Sequence, residues 1–173
     1  TVTVSTLTVN VQAANGLQIS VDGQNWKAIL SNEDLTTAVN TLYSGNKNQI
    51  PTELAPVSTT GAVTNGNMAM YYGEVDTNAS GDYILISTQQ TDAKGTTGYY
   101  IAFDIFLKVN KETPIYLTTA SGVRSSVKTS TTDQGLKNAA RIAFVNEGNA
   151  SEGTTLTTIQ ALSLASGTAK IWE

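Results

Sequence analysis

From Tyr99 to Val109 every second residue is large and apolar (Tyr99, Ile101, Phe103, Ile105, Leu107 and Val109), and Asp104 and Lys108 fall on the opposite parity. Successive side chains of a strand point to opposite faces, so this run predicts a strand with one buried face, placed centrally in a sheet. A central strand obliges the rest of the chain to supply its neighbours, and the composition suits that demand. Thr (27), Ser (14) and Asn (14) make up almost a third of the 173 residues, and only 14% are charged, against about 25% in an average domain. Thr is β-branched and sits well on a pleated surface, while hydroxyls and amides take over the solubilising role of charges. A mainly β fold is therefore expected. At about 100–200 residues per domain, residues 1–173 are read as one domain.

The chain has no Cys and no His. Cysteine nucleophiles, Ser-His systems, Cys/His zinc sites, haem ligation and iron–sulfur clusters lie outside its chemistry. No disulfide is needed at a size that buries roughly 68–70% of the unfolded surface. Ten Lys and Arg against fourteen Asp and Glu leave a formal charge of −4, the wrong sign for nucleic acid or an anionic membrane. The longest apolar run, Tyr99 to Phe103, is far short of the ~18 residues of a membrane span. A start at Thr1, with neither an initiator Met nor a leader, is what a processed export product or an engineered start would show. Together with the low charge it points to secretion or the cell surface.

The first segment, Thr1 to Val11, changes phase. Val2 and Val4 fall on even positions, Leu7, Val9 and Val11 on odd ones. A single straight strand would send the two sets to opposite faces. Either a bulge near Ser5 restores the register, or the first residues belong to a different sheet from the rest, in this subunit or a neighbouring one. Leu17, Ile19 and Val21 then alternate into Asp22-Gly23 and return through Trp26 to Leu30, a hairpin. Ser31 and Asn32 followed by Glu33 and Asp34 predict a helix N-terminus, continued by Leu35, Ala38, Val39 and Leu42 and stopped at Ser44-Gly45. Asn46 to Asn67, with Pro51, Pro56, Gly61 and Gly66, reads as a connection crossing the fold. Strands are expected at Met68 to Val75, Asp82 to Ser87, Ile115 to Leu117, Arg141 to Val145, Leu156 to Leu164 and Ala169 to Trp172, with a second helical turn capped by Thr132-Asp133 over Leu136 to Ala140. Eight to ten short strands with turns between them, and one or two short helices, predict a two-sheet sandwich of jelly-roll type.

Few residues could carry chemistry. In Asp76-Thr77-Asn78-Ala79-Ser80-Gly81-Asp82, Asp76, Asn78 and Ser80 take the first, third and fifth places of a calcium loop, Gly81 the sixth, and Asp82 adds a carboxylate. The twelfth place is Ser87, which cannot supply the bidentate carboxylate. The same run reads as a polar hairpin turn, and calcium is the one candidate cofactor. Two carboxylates could in principle form a glycosidase pair, but a catalytic acid must be kept protonated in an apolar pocket. Only Asp104 lies in a strongly apolar strand, where a partner such as Arg141 or a lysine is expected. Trp26, Trp172, Tyr71-Tyr72 and Tyr99-Tyr100 could form a sugar-stacking platform.

Several segments together resemble a known group. GLQISVDGQNW (16–26), YYIAFDIFLKV (99–109), PIYLTTASGV (114–123), AARIAFV (139–145) and AKIWE (169–173) resemble the secreted TasA and camelysin biofilm-matrix proteins of Gram-positive bacteria and the related archaeal bundling pili. The resemblance implies a jelly-roll subunit without catalytic function that polymerises outside the cell, head to tail with copies of itself. Each subunit inserts its N-terminal strand into the next. Thr1, Val2, Thr3, Val4 and Ser5 would be the donor strand here, with Val2 and Val4 as apolar pegs. A virion decoration or tail protein, or a carbohydrate-binding adhesive module, shares the Thr/Asn-rich β composition and is the alternative.

Overall fold

The computed structural model describes residues 2–3, 8–37, 42–49, 53–90, 100–124 and 135–173. In chain order its elements are β1 (Val2–Thr3), β2 (Val11–Gln12), β3 (Leu17–Ser20), β4 (Ile29–Leu30), α1 (Asn32–Thr37), β5 (Glu53–Leu54), β6 (Val57–Thr64), β7 (Asn67–Thr77) and β8 (Tyr83–Gln90). There follow β9 (Phe106–Val109), α2 (Leu136–Ala139), β10 (Ile142–Phe144), α3 (Leu156–Gln160), β11 (Ser166–Thr168) and β12 (Lys170–Trp172). The fold is mainly β, as the composition predicts, and every pairing is antiparallel. The four-stranded sheet runs β11-β6-β7-β8; β1-β5, β2-β4, β3-β9 and β10-β12 form two-stranded sheets. Three short helices stand where one or two were expected.

The core gathers on the N-terminal third. Ile19, Leu30 and Leu35 are fully buried together, and Val9, Val11, Ala13, Leu17, Val21, Phe103 and Ile105 pack around them. Val9 and Val11 thus point inward as their odd parity requires, while β1 pairs in another sheet; the phase change in the sequence marks a change of sheet. The hairpin around Asp22 is closed by reciprocal bonds between Ile19 and Lys27, 2.9 and 2.8 Å. Its tip is held by side chains. The Asp22 carboxylate accepts from the Gln24 and Asn25 amides at 2.8 and 2.7 Å and from the Ser20 hydroxyl at 2.7 Å. Burial alone would push this carboxyl up, but bonds from Asn25, Gln24 and Ser20 outweigh it and hold the pKa at about 2. A lowered carboxyl pKa contributes stability that is present above the unfolded value of about 4 and lost as pH falls toward the folded value. Between pH 4 and pH 2 the wild type should therefore lose urea resistance more steeply than Asp22→Ala; parallel losses would disprove the role given to this turn.

Helix α1 begins as its sequence predicts. Ser31 N–H donates to Asp34 Oδ2 at 2.9 Å, and Asp34 N–H donates to Ser31 Oγ at 3.4 Å, a reciprocal cap that satisfies two helix-end groups. Lys27 pairs with the same carboxylate, and with Ser31 it holds Asp34 below the usual carboxylate range. Ala38 and Val39 of the expected helical stripe lie outside the described residues, as do Leu7, Tyr99 and the Thr132-Asp133 cap.

Four expectations are corrected. The connection Asn46 to Asn67 contains β5 and β6, and Asn65-Gly66 is the turn of the β6-β7 hairpin. Asn65 and Gly66 take φ of 51° and 75°, the left-handed pair that a two-residue type I′ turn requires. Strand β6 is interrupted at Gly61, which has φ 77° at a shift of register between Thr59 and Val63. That bulge, and a lack of large apolar residues, hid the strand. The run 99–109 is not one central strand. Its ladder with β3 starts only at Phe106, because Asp104 N–H donates to the Asn48 side chain at 2.6 Å rather than to a neighbouring strand. Phe103 and Ile105 pack against the core, Phe106 packs edge-on against Tyr43 at 5.6 Å, and Leu107, opposite the buried Ile19 in the ladder, is half exposed. Ile115 to Leu117 is exposed and outside any strand. Leu156 to Leu164 opens with helix α3, not a strand, because the Thr155 hydroxyl caps it by accepting from Thr158 N–H at 3.3 Å.

Candidate functional site

The N-terminal strand makes a short ladder. Val2 stands opposite Leu54 and Thr3 opposite Glu53, within the same chain. Thr1, Val4 and Ser5 of the expected donor segment lie outside the described residues. A two-residue ladder holds a strand weakly compared with the eight opposed pairs that join β7 to β8.

Those two strands form an arm. Strand β6 accompanies β7 only as far as the pairing of Val57 with Tyr72 and a bond from Gly73 N–H to Pro56 O at 3.3 Å. Proline has no N–H with which to continue the ladder. From Glu74 onward β7 is paired by β8 alone, and every residue from 74 to 89 is exposed. The exposed side chains include Val75 (68%), Tyr83 (83%) and Leu85 (72%), which share one face, and Ile84 and Ile86 on the other. Sequence alternation identifies such strands, but it cannot say that neither face is covered.

The arm ends in the candidate calcium loop. Asn78 Oδ1 accepts from the Ser80 and Asp82 amides, both at 2.9 Å, and its amide nitrogen donates to Asp82 Oδ2 at 3.1 Å. Asp76 Oδ1 accepts from Thr77 N–H at 2.8 Å. The fold thus brings Asn78, Ser80 and Asp82 together in a self-bonded turn. The Asn78 oxygen that a cation would need already serves two amides. Among the described residues no three acidic side chains gather at a metal-binding distance.

Among the described residues Asp104 pairs with neither Arg141 nor a lysine ammonium. Its Oδ2 accepts from Lys47 N–H at 2.7 Å and from the Tyr43 hydroxyl at 3.0 Å. Burial and the adjacent Asp104 carboxylate raise the Tyr43 pKa well above the usual phenol range. The Lys47 ammonium turns the other way, to Gly66 O at 2.5 Å and Glu147 at 3.3 Å, and Glu147 in turn accepts from Leu164 N–H at 2.6 Å. Arg141 pairs with Glu173 at 3.5 Å. This network ties the segment before β9 to the C-terminal region and reads as structural. Asp104→Ala should cost about 1–3 kcal/mol by stranding the Lys47 amide, while Asp104→Asn, which keeps an acceptor oxygen, should cost less. Equal losses in a urea titration would contradict the geometry.

Of the residues expected in a sugar-stacking platform, Tyr99 lies outside the described residues. Lys108 Nζ lies 5.5 Å from the centre of the Trp26 ring, a cation–π contact that occupies one ring face. Trp172 is half-buried in β12. No protein-family model matches the chain, and no curated protein or solved structure shows significant similarity to it.

Proposed function

We propose that this protein is a structural subunit of an extracellular filament or biofilm matrix, without catalytic activity, that polymerises head to tail by inserting its N-terminal strand into a neighbouring copy. The observation that carries this reading is the surface left uncovered. On the β7-β8 arm Val75, Tyr83 and Leu85 are 68%, 83% and 72% exposed on one face, and Ile84 and Ile86 are exposed on the other. Among the described residues seven apolar side chains are buried. A subunit whose fold is completed by a neighbour has this character. In this reading the small sheets belong to a jelly roll that closes when the neighbour's strand enters.

The short β1-β5 ladder supports the same mechanism. A strand held by two opposed pairs can leave its own chain and remake the same backbone bonds in the next, so the exchange costs little. The contact is heterologous, and one that does not close propagates into a fibre. Low charge and a hydroxyl-rich surface suit an exported, densely packed polymer. Negative-stain electron microscopy of the purified protein is the direct test. Unbranched filaments are expected; a protein that remains monomeric at assembly concentrations would sink this reading.

A further inference from the structure

An asparagine followed by glycine is the dipeptide most prone to lose its side-chain amide, because no Cβ hinders the glycine backbone nitrogen as it approaches the asparagine Cγ. The chain contains this dipeptide twice, at Asn15-Gly16 and Asn65-Gly66. The fold gives the two very different surroundings.

Asn15 and Gly16 are both exposed and form the middle of the turn between β2 and β3, closed by Leu17 N–H donating to Ala14 O at 3.1 Å. Gly16 has φ 85°, and a Cβ placed on it would meet nothing within 4 Å. It precedes the β3-β9 ladder, which begins where Leu17 stands opposite Val109. Among the described residues no hydrogen bond holds the Gly16 N–H. Asn65 is exposed as well, but Gly66 is held on every side. Its N–H donates to Ala165 O at 3.1 Å, its carbonyl accepts from the Lys47 ammonium at 2.5 Å, and a Cβ there would stand 3.2 Å from Ser163 Oγ. The pairing of Thr64 with Asn67 closes the hairpin around it.

We propose that Asn15 is a site of spontaneous deamidation in the folded protein, and that the bonds on Gly66 protect Asn65 from the same reaction. The Gly16 nitrogen gives up its proton to water and attacks Asn15 Cγ. The bond from Cγ to the side-chain nitrogen breaks, ammonia leaves and a succinimide closes. Water then opens the ring at either carbonyl, yielding aspartate or isoaspartate with no change of oxidation state. At Asn15 the attack requires rotation of the 15–16 peptide, which glycine at the third turn position tolerates and no bond from Gly16 N–H opposes. At Asn65 the same rotation breaks the bond to Ala165 and waits on local opening of the hairpin.

Each event adds a negative charge to a chain whose formal charge is −4, and isoaspartate also lengthens the backbone by a methylene. The turn links Val11 and Ala13 to Leu17, all packed on the cluster of Ile19, Leu30 and Leu35, so the isoaspartyl form should unfold at lower urea than the parent. None of this chemistry depends on association between copies.

The full-length protein, too dilute to assemble, is aged in mildly alkaline buffer with and without unfolding urea. Fragmentation mass spectrometry of its peptides follows each asparagine, and an isoaspartyl methyltransferase labels isoaspartate. Under native conditions conversion at position 15 should run several-fold faster than at position 65, and in urea the two rates should converge. Equal native rates, a faster site at 65, or no conversion at 15 while the unfolded chain converts would overturn the proposal. A difference that survives in urea would place its cause in the flanking residues rather than in the fold, and overturns it too. Asn15→Gln should remove most of the methyltransferase label from aged native protein; retention of the label would overturn the assignment to this turn.

Discussion

Deleting residues 1–5 is expected to leave a folded, soluble monomer that no longer forms filaments. In the proposed mechanism Val2 and Val4 would be the apolar pegs of the donor segment, and full burial of a valine contributes about 1.5–3 kcal/mol. Two of them correspond to about 3–6 kcal/mol per junction, so the critical concentration should rise by about 100-fold or more. Val4→Asp should do nearly the same, because a carboxylate placed among apolar groups carries a desolvation penalty as well as losing the peg. Sedimentation measures the assembled fraction, and circular dichroism reports whether the monomer keeps its strands. The native ladder gives up only the Val2–Leu54 and Thr3–Glu53 pairs, so the β signal should be almost unchanged. Filaments of unaltered appearance from the truncated chain would refute strand insertion.

Leu30→Ala should be the most damaging single truncation in the N-terminal core. Leu30 is 1% exposed and lies in a cluster whose other fully buried members are Ile19 and Leu35, so little can move in to fill the space. A buried Leu→Ala costs about 2–5 kcal/mol, a large fraction of the 5–15 kcal/mol that holds a typical domain. Leu107→Ala, at a half-exposed position, should cost about 1 kcal/mol or less. Lys108→Ala should cost a few tenths, the share of its contact with Trp26. Urea titrations at a concentration too low for assembly would rank the three. Equal sensitivity at Leu107 and Leu30 would contradict the half-exposed position of Leu107.

The exposure of Leu107 on an otherwise core-facing run marks where sequence patterning stops. Alternation at Leu17 to Val21 and Met68 to Val75, the Asp22-Gly23 turn and the Ser31-Asp34 cap were legible residue by residue, because each depends on neighbours a few positions away. The odd parity of Val9 and Val11 also told correctly which side is buried. The Asn65-Gly66 turn was equally local and carried its own signal, but no flanking apolar alternation drew attention to it. Thr155 likewise held the cap of α3 in plain view among residues that also favour strands.

Other features depend on groups that are remote in sequence. The run at 99–109 has the alternation of a long strand, yet among its described residues a continuous ladder forms over Phe106–Val109 while Ala102 makes an isolated bridge to Gln49, since Asn48 and Lys47 hold Asp104 from more than fifty residues away. Alternation reports which residues could share a face and is silent on what lies against that face. The β7-β8 arm and residues 114–119 show the same division. Their side chains dictate a strong preference for extended, paired backbone, while exposure or burial is settled by whether another element arrives to cover them. Along the outer half of β7 the described residues supply no partner but β8, because β6 stops at Val57. Local propensity was written into the amino acids; which apolar surfaces remain open for a neighbour follows from long-range packing, whose contacts no short window of sequence contains.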